Sequence, residues 1–141
     1  MIAKKIYILI LIASLTWPSS MQAQITGHPA INLSGQIFDE YGNVLGWISK
    51  EGIVQNAVDD RIAVIDKAGN TFDGKGQRIG KMTKSGTFLD ARGLLVFTVS
   101  APVDQHCDLI DPQGKIVGVV HAQYKNQASA IHCLYAKMKV Y

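Results

Sequence analysis

Two cysteines, four histidines and a column of turn aspartates are the residues best equipped for chemistry in this chain. Cys107 follows His106, Cys133 follows His132, and His121 lies between the two pairs. Two chemistries suit that set: a disulfide between the thiols, or a zinc-type site of nitrogen and sulfur ligands. Neighbouring residues on a strand point to opposite faces, so an adjacent His–Cys pair converges poorly on one ion. No C-x-x-C or H-E-x-x-H spacing accompanies them. The expectation is therefore a Cys107–Cys133 disulfide, closing a loop of about 27 residues and contributing about 3 to 4 kcal/mol in the chain-entropy picture. No metal and no cofactor are expected. His28 carries no such signal.

The aspartates recur before glycines, as in Asp39-Glu40-Tyr41-Gly42, Asp73-Gly74-Lys75-Gly76, Asp90-Ala91-Arg92-Gly93 and Asp111-Pro112-Gln113-Gly114. Stacked carboxylates of this kind hold calcium in some repeat proteins, with Asp59, Asp60, Asp66 and Asp73 the densest group here. One Asp per turn is sparse for such a site. The turn reading is preferred: the side chain accepts backbone N–H groups two residues on, and Gly supplies the positive φ. No G-x-S-x-G, S-x-x-K or phosphate-cradling loop occurs, so no catalytic residue is assigned. The enzyme alternative is a small secreted hydrolase with its site at one mouth of the fold. Among aromatics, Trp47 and Tyr41 are the binding candidates, as exposed stacking surfaces.

These residues sit on a seventeen-residue unit that recurs five times, starting at Asp39, Asn56, Asp73, Asp90 and Asp111. The last start requires a four-residue insertion near Asp104 to Cys107. Each unit is apolar six residues in (Leu45, Ile62, Ile79, Val96, Val117) and nine in (Ile48, Ile65, Met82, Val99, Val120). A second turn follows at ten, as in Ser49–Gly52, Asp66–Gly69 and Thr83–Gly86. Two turns per unit leave room for two short strands, so each unit reads as a β-hairpin. A small residue seven in (Gly46, Ala63, Gly80, Gly118) predicts a bulge, which would let columns six and nine both face inward. Phe97 breaks that column, and Asp59 stands where the other units have the first-turn Gly, so distortion is expected at both.

A single hairpin is marginal in water, so the units must share a core. The expected fold is all-β, five hairpins around a pseudo-five-fold axis, with a C-terminal strand over Leu134–Val140 closing the ring. A helix through Ala128–Met138 is the rival for that tail, because Ile131, Leu134, Tyr135 and Met138 share a helical face. Residues 1–23 read as a secretory signal, with Lys4 and Lys5 before an apolar run and cleavage after Ala23. Residues 24–32 read as a linker and residues 33–141 as one domain. Lys4 and Lys5 carry part of the net charge of +3, and the remaining charges are interspersed. That excludes a concentrated basic patch and hence a nucleic-acid partner. No stable membrane insertion is expected after cleavage.

The pattern I-x-D-x-x-G-x-Φ-x-G-x-I, with Φ apolar, appears as Ile37–Ile48 and Leu109–Val120, with Thr71–Met82 a third copy. It resembles a group of small secreted bacterial proteins described as five-fold β-flowers, and the resemblance covers most of the chain after residue 23. It implies the fold and export, and no activity or catalytic residue. The function expected is a non-catalytic exported binding or structural module, periplasmic or extracellular. A glycan, an envelope component or a second copy of the chain is the partner considered.

Overall fold

A computed structural model describes residues 27–135 of the 141-residue chain. The signal segment and residues 136–140 of the tail reading lie outside the described residues. Eleven strands run in the order β1 (Ala30–Ile31), β2 (Gln36–Phe38), β3 (Val44–Ile48), β4 (Ile53–Asn56), β5 (Arg61–Ile65) and β6 (Asn70–Asp73). They continue with β7 (Arg78–Met82), β8 (Thr87–Asp90), β9 (Leu95–Val99), β10 (His106–Ile110) and β11 (Ile116–His121). From β2 to β11 each strand pairs antiparallel with the next, and β1 closes the barrel against both β2 and β11.

The five first turns form as their sequence requires. Oδ1 of Asp39, Asn56, Asp73, Asp90 and Asp111 each accepts two backbone N–H groups, from the residues two and four positions on. Asp59 holds φ at 64°, the region Gly42 and Gly76 occupy, and its N–H bonds Asn56 like the glycines of the other turns. The expected distortion does not occur there. A short polar side chain tolerates the left-handed region well enough to replace glycine.

All five long strands show one burial pattern from their second to fifth residues: half-buried, buried, then outward, then buried. The register slips once in each, so that Leu45, Ile62, Ile79, Val96 and Val117 are the unpaired bulge residues. The bulge thus lies one residue before the expected position. Column six is the bulge, while columns seven and nine face inward. Column seven is small because of what it meets inside. A Cβ on Gly80 would stand 2.4 Å from the Phe88 ring, and one on Gly46 would be 2.9 Å from Leu134. At Phe97 the column instead holds a buried ring that stacks on Phe88 at 5.2 Å, with the register unchanged.

What fills the barrel is helical. A 3-10 helix, Ala122–Gln127, is capped by His121, whose Nδ1 accepts the N–H of Gln123. It leads into helix α1, Ser129–Leu134. Ala128, Ser129, Ala130 and Ile131 are wholly buried, Ser129 Oγ lies 2.8 Å from Thr71 Oγ1 of the inner face, and the His132 ring packs against Phe88. A short helical run pairs part of its own backbone, which an unpaired strand inside the lumen could not do.

The tail therefore corrects the expectation of a closing C-terminal strand: Leu134 ends a helix, and closure comes from Ala30 and Ile31. Those two residues lie in the segment read as a linker. The insertion before the fifth unit is a tight turn, with Asp104 at φ 50° and Gln105 at φ 67° between Val103 and His106. Two successive positive φ values match the twist of the strands it joins.

The buried hydroxyl pair gives a testable consequence. Thr71→Val or Ser129→Ala alone leaves one hydroxyl without its partner inside the barrel and is expected to cost about 1 to 3 kcal/mol. The double variant is expected to lose little beyond either single one, as measured by a double-mutant cycle in urea.

Candidate functional site

The mouth of the barrel at the first turns holds a cavity of about 970 Å³. Its floor comes from bulge residues Ile79, Val96 and Val117 together with Leu95 and Ile116, which the strand pattern turns outward at the rim. The turns of the fourth and fifth units place Asp90, Arg92, Asp111 and Lys115 at its edge. Glu40, in the turn of the first unit, lies across the cavity with Tyr135 and His132, which come from the end of α1. The element that fills the lumen thus also builds one wall of the cavity.

Charge at this rim is set by short-range partners. Asp90 accepts the Leu94 and Arg92 N–H groups and meets the Arg92 guanidinium at 3.2 Å. The bond from the Leu94 N–H chiefly holds its carboxyl below the usual range, against an opposing effect of desolvation, with Arg92 adding to the lowering. In the second turn of the next-but-one unit before it, the Asn70 side-chain amide does the same for Asp66. Both carboxylates stabilise the fold above the ordinary Asp range near 3.8 and lose that contribution as pH falls through their lowered values. The urea midpoint is expected to drop below about pH 4, and Asp66→Asn is expected to flatten that slope.

Tyr135 donates its hydroxyl to Glu40 in a short hydrogen bond. Burial first, then the bond to Glu40 and the nearby Glu40 and Asp39 carboxylates, push its phenol well above the ordinary tyrosine range. The phenol therefore stays neutral at any pH where the protein would work.

Cys107 and Cys133 do not form the expected disulfide. Cys107 is fully buried on the inner face of β10, opposite Val120, whereas Cys133 sits on the half-buried side of α1. Placing the second cysteine on a helix, not on a closing strand next to β10, removes the reason for the bridge. Burial pushes the Cys107 thiol up, which makes it a core side chain of low reactivity. His106 and His121 approach edge-on at 5.8 Å, and His132 lies against Phe88. Among the described residues no three His, Cys, Asp or Glu side chains gather as a metal would require, and no helix is long and apolar enough to cross a membrane.

Trp47 is half-buried on the outer wall of β3, between Gln36 and Gln55 on the neighbouring strands. Tyr41 is 69% exposed at the first turn, beside Glu40. The sequence candidates are thus divided between wall and mouth, and neither lines the cavity. Sequence reasoning missed Glu40, Tyr135, Arg92 and Lys115. A usable signal was present in the outward column at the strand starts, Val44, Arg61, Arg78, Leu95 and Ile116. Its apolar members leave a greasy sector where arginine serves the other units.

No family model matches the chain, nor does any curated protein or solved structure.

Proposed function

We propose that this chain is an exported, non-catalytic β-repeat protein that acts as a binding module at the cell envelope, with its ligand seated in the cavity at the first-turn mouth. The observation that carries this reading is the cavity itself. About 970 Å³ with an apolar floor and a few polar groups at its edge is the usual format of a small-ligand site. Turns and register slips that recur at a seventeen-residue step, with one longer step before the fifth unit, support five hairpins around a pseudo-five-fold axis, and with it kinship to the β-flower proteins. Export is supported by the basic and apolar start of the sequence. Mass spectrometry of the secreted protein is expected to find Gln24 at the N-terminus.

A thermal-shift screen of the purified protein against glycans, lipids and small metabolites tests the binding reading. A true ligand raises the melting temperature of the wild type and fails to raise that of the Leu95→Asp/Ile116→Asp variant. Both substituted positions are exposed, which keeps the fold intact. A ligand that stabilises both proteins equally would move the site elsewhere, and silence across an envelope-derived library would remove the reading.

A further inference from the structure

We infer that His121 is a pH-sensitive latch: its neutral ring holds the helical segment inside the barrel, and its protonation releases that segment. The latch is independent of any ligand at the mouth. Three contacts fix the point where β11 gives way to the 3-10 helix. The Gln123 N–H donates to His121 Nδ1 at 3.1 Å, the Ala122 N–H donates to the Gln105 carbonyl at 2.8 Å, and His121 Nε2 lies 3.4 Å from Gln105 Oε1. A backbone N–H can only donate, so Nδ1 must present its lone pair. The neutral ring then carries its proton on Nε2, toward an amide oxygen. Gln105 belongs to the turn made by the insertion, where Asp104 and Gln105 both hold positive φ. Among the described residues, the fifth unit is the one whose long strand runs into a helix, and it is also the one preceded by extra residues. The extra turn supplies what the helix start needs, a carbonyl and a side-chain oxygen.

A proton on Nδ1 turns the cap's acceptor into a donor that faces the Gln123 N–H. The cap is then lost, and a charge stands on a ring that is only 7% exposed. The titratable and charged groups on the elements packed against the ring are His106 and Asp108 on β10, Asp104 in the turn before it, and Lys125 in the 3-10 helix. The other strand beside β11 is β1, whose Ala30 and Ile31 carry no charge. Asp108 pairs with Val119, on the outward column, and neither it nor Asp104 bonds the His121 ring through its carboxylate. The His106 ring stands edge-on at 5.8 Å and gains its own proton in the same pH range, so it adds repulsion. The bonded form of His121 is the neutral one. Its contribution is therefore present above the range in which imidazoles usually titrate, about pH 6 to 7, and is lost as pH falls through it. The 3-10 helix leads into α1, so what the cap releases is the segment that fills the lumen.

Nitrogen-15 NMR of the full purified chain, on histidine side chains and backbone amides, tests this. At about pH 8 the His121 ring is expected in the Nε2–H form. Lowering the pH to about 5.5 is expected to move the amide signals of Ala122–Leu134 in step with that ring, while β4–β8 change little. The urea midpoint is expected to fall by about 0.5 to 1 M over the same span, well above the pH at which the rim carboxylates act. His121→Asn keeps a side-chain oxygen that can cap the helix and does not titrate, so it is expected to abolish the fall. An Nδ1–H ring at the higher pH, unmoved amides in Ala122–Leu134, or an undiminished fall in a folded His121→Asn protein would each overturn the latch. Should the variant fail to fold, the ring form and the amide signals of the wild type still decide.

Discussion

Gly52→Ala is expected to cost about 3 to 5 kcal/mol of folding stability, while Gly76→Ala costs about 1 to 2 kcal/mol. Both glycines sit at positive φ, 86° and 82°, so a backbone penalty is common to the two. Their surroundings differ. A Cβ on Gly52 would stand 2.0 Å from the carbonyl oxygen of Ile65, whereas nothing lies within 4 Å of one on Gly76. Gly52 is also the acceptor for the Ile65 N–H at 2.7 Å, so a backbone shift that relieves the clash strains that bond.

The same contact recurs from Gly35 to Ile48 and from Gly69 to Met82, at 2.4 Å in both cases. The second turns therefore lock each hairpin onto the next, and the first turns do not. Urea unfolding of both variants checks this, with Gly76→Asn expected within about 1 kcal/mol of wild type, because Asp59 already adopts that conformation. Equal losses at Gly52 and Gly76 would remove the lock.

Phe88→Ala is expected to cost about 3 to 5 kcal/mol and to loosen α1 as well as the barrel wall. Phe88 is fully buried on β8, stacks on Phe97, and meets the His132 ring at 5.4 Å. Its removal opens a void that Gly80 cannot fill, since the neighbouring small column has no side chain there to rearrange. Hydrogen exchange is the informative measurement. The account expects faster exchange in Ser129–Leu134 together with β7–β9, while β2–β4 change less. A loss confined to β8 would mean the helix is held by other contacts.

How much of this was legible in the sequence depends on the length of each signal. The long strands were legible from their two apolar columns, because five copies of one pattern average out local noise. The bulge was seen through its consequence, the small residue at column seven, and was therefore assigned one position late.

The barrel closure was not legible. Ala30 and Ile31 form a strand of two residues, too short to carry any periodicity, and their parallel pairing with β11 has no local sequence mark. Helix α1 covers six residues, too few for the helical spacing of Ile131 and Leu134 to outweigh the alternation read from Leu134 onward. The disulfide expectation failed with it, since it assumed that Cys133 would lie on a strand. Glu40 and Tyr135 are ninety-five positions apart and meet only because the chain returns through the barrel. Leu95 and Ile116 were not singled out in the sequence, although their exposure is what makes the cavity floor reach the rim.

The claim that the mouth cavity is the binding site is tested most directly by two-dimensional NMR of the amide groups during titration with a ligand that the thermal-shift screen selects. The account predicts shifts concentrated at Leu95, Val96, Ile116, Val117 and Tyr135, with Trp47 on the outer wall unmoved. Shifts gathered around Trp47, or spread evenly over the barrel, would contradict it.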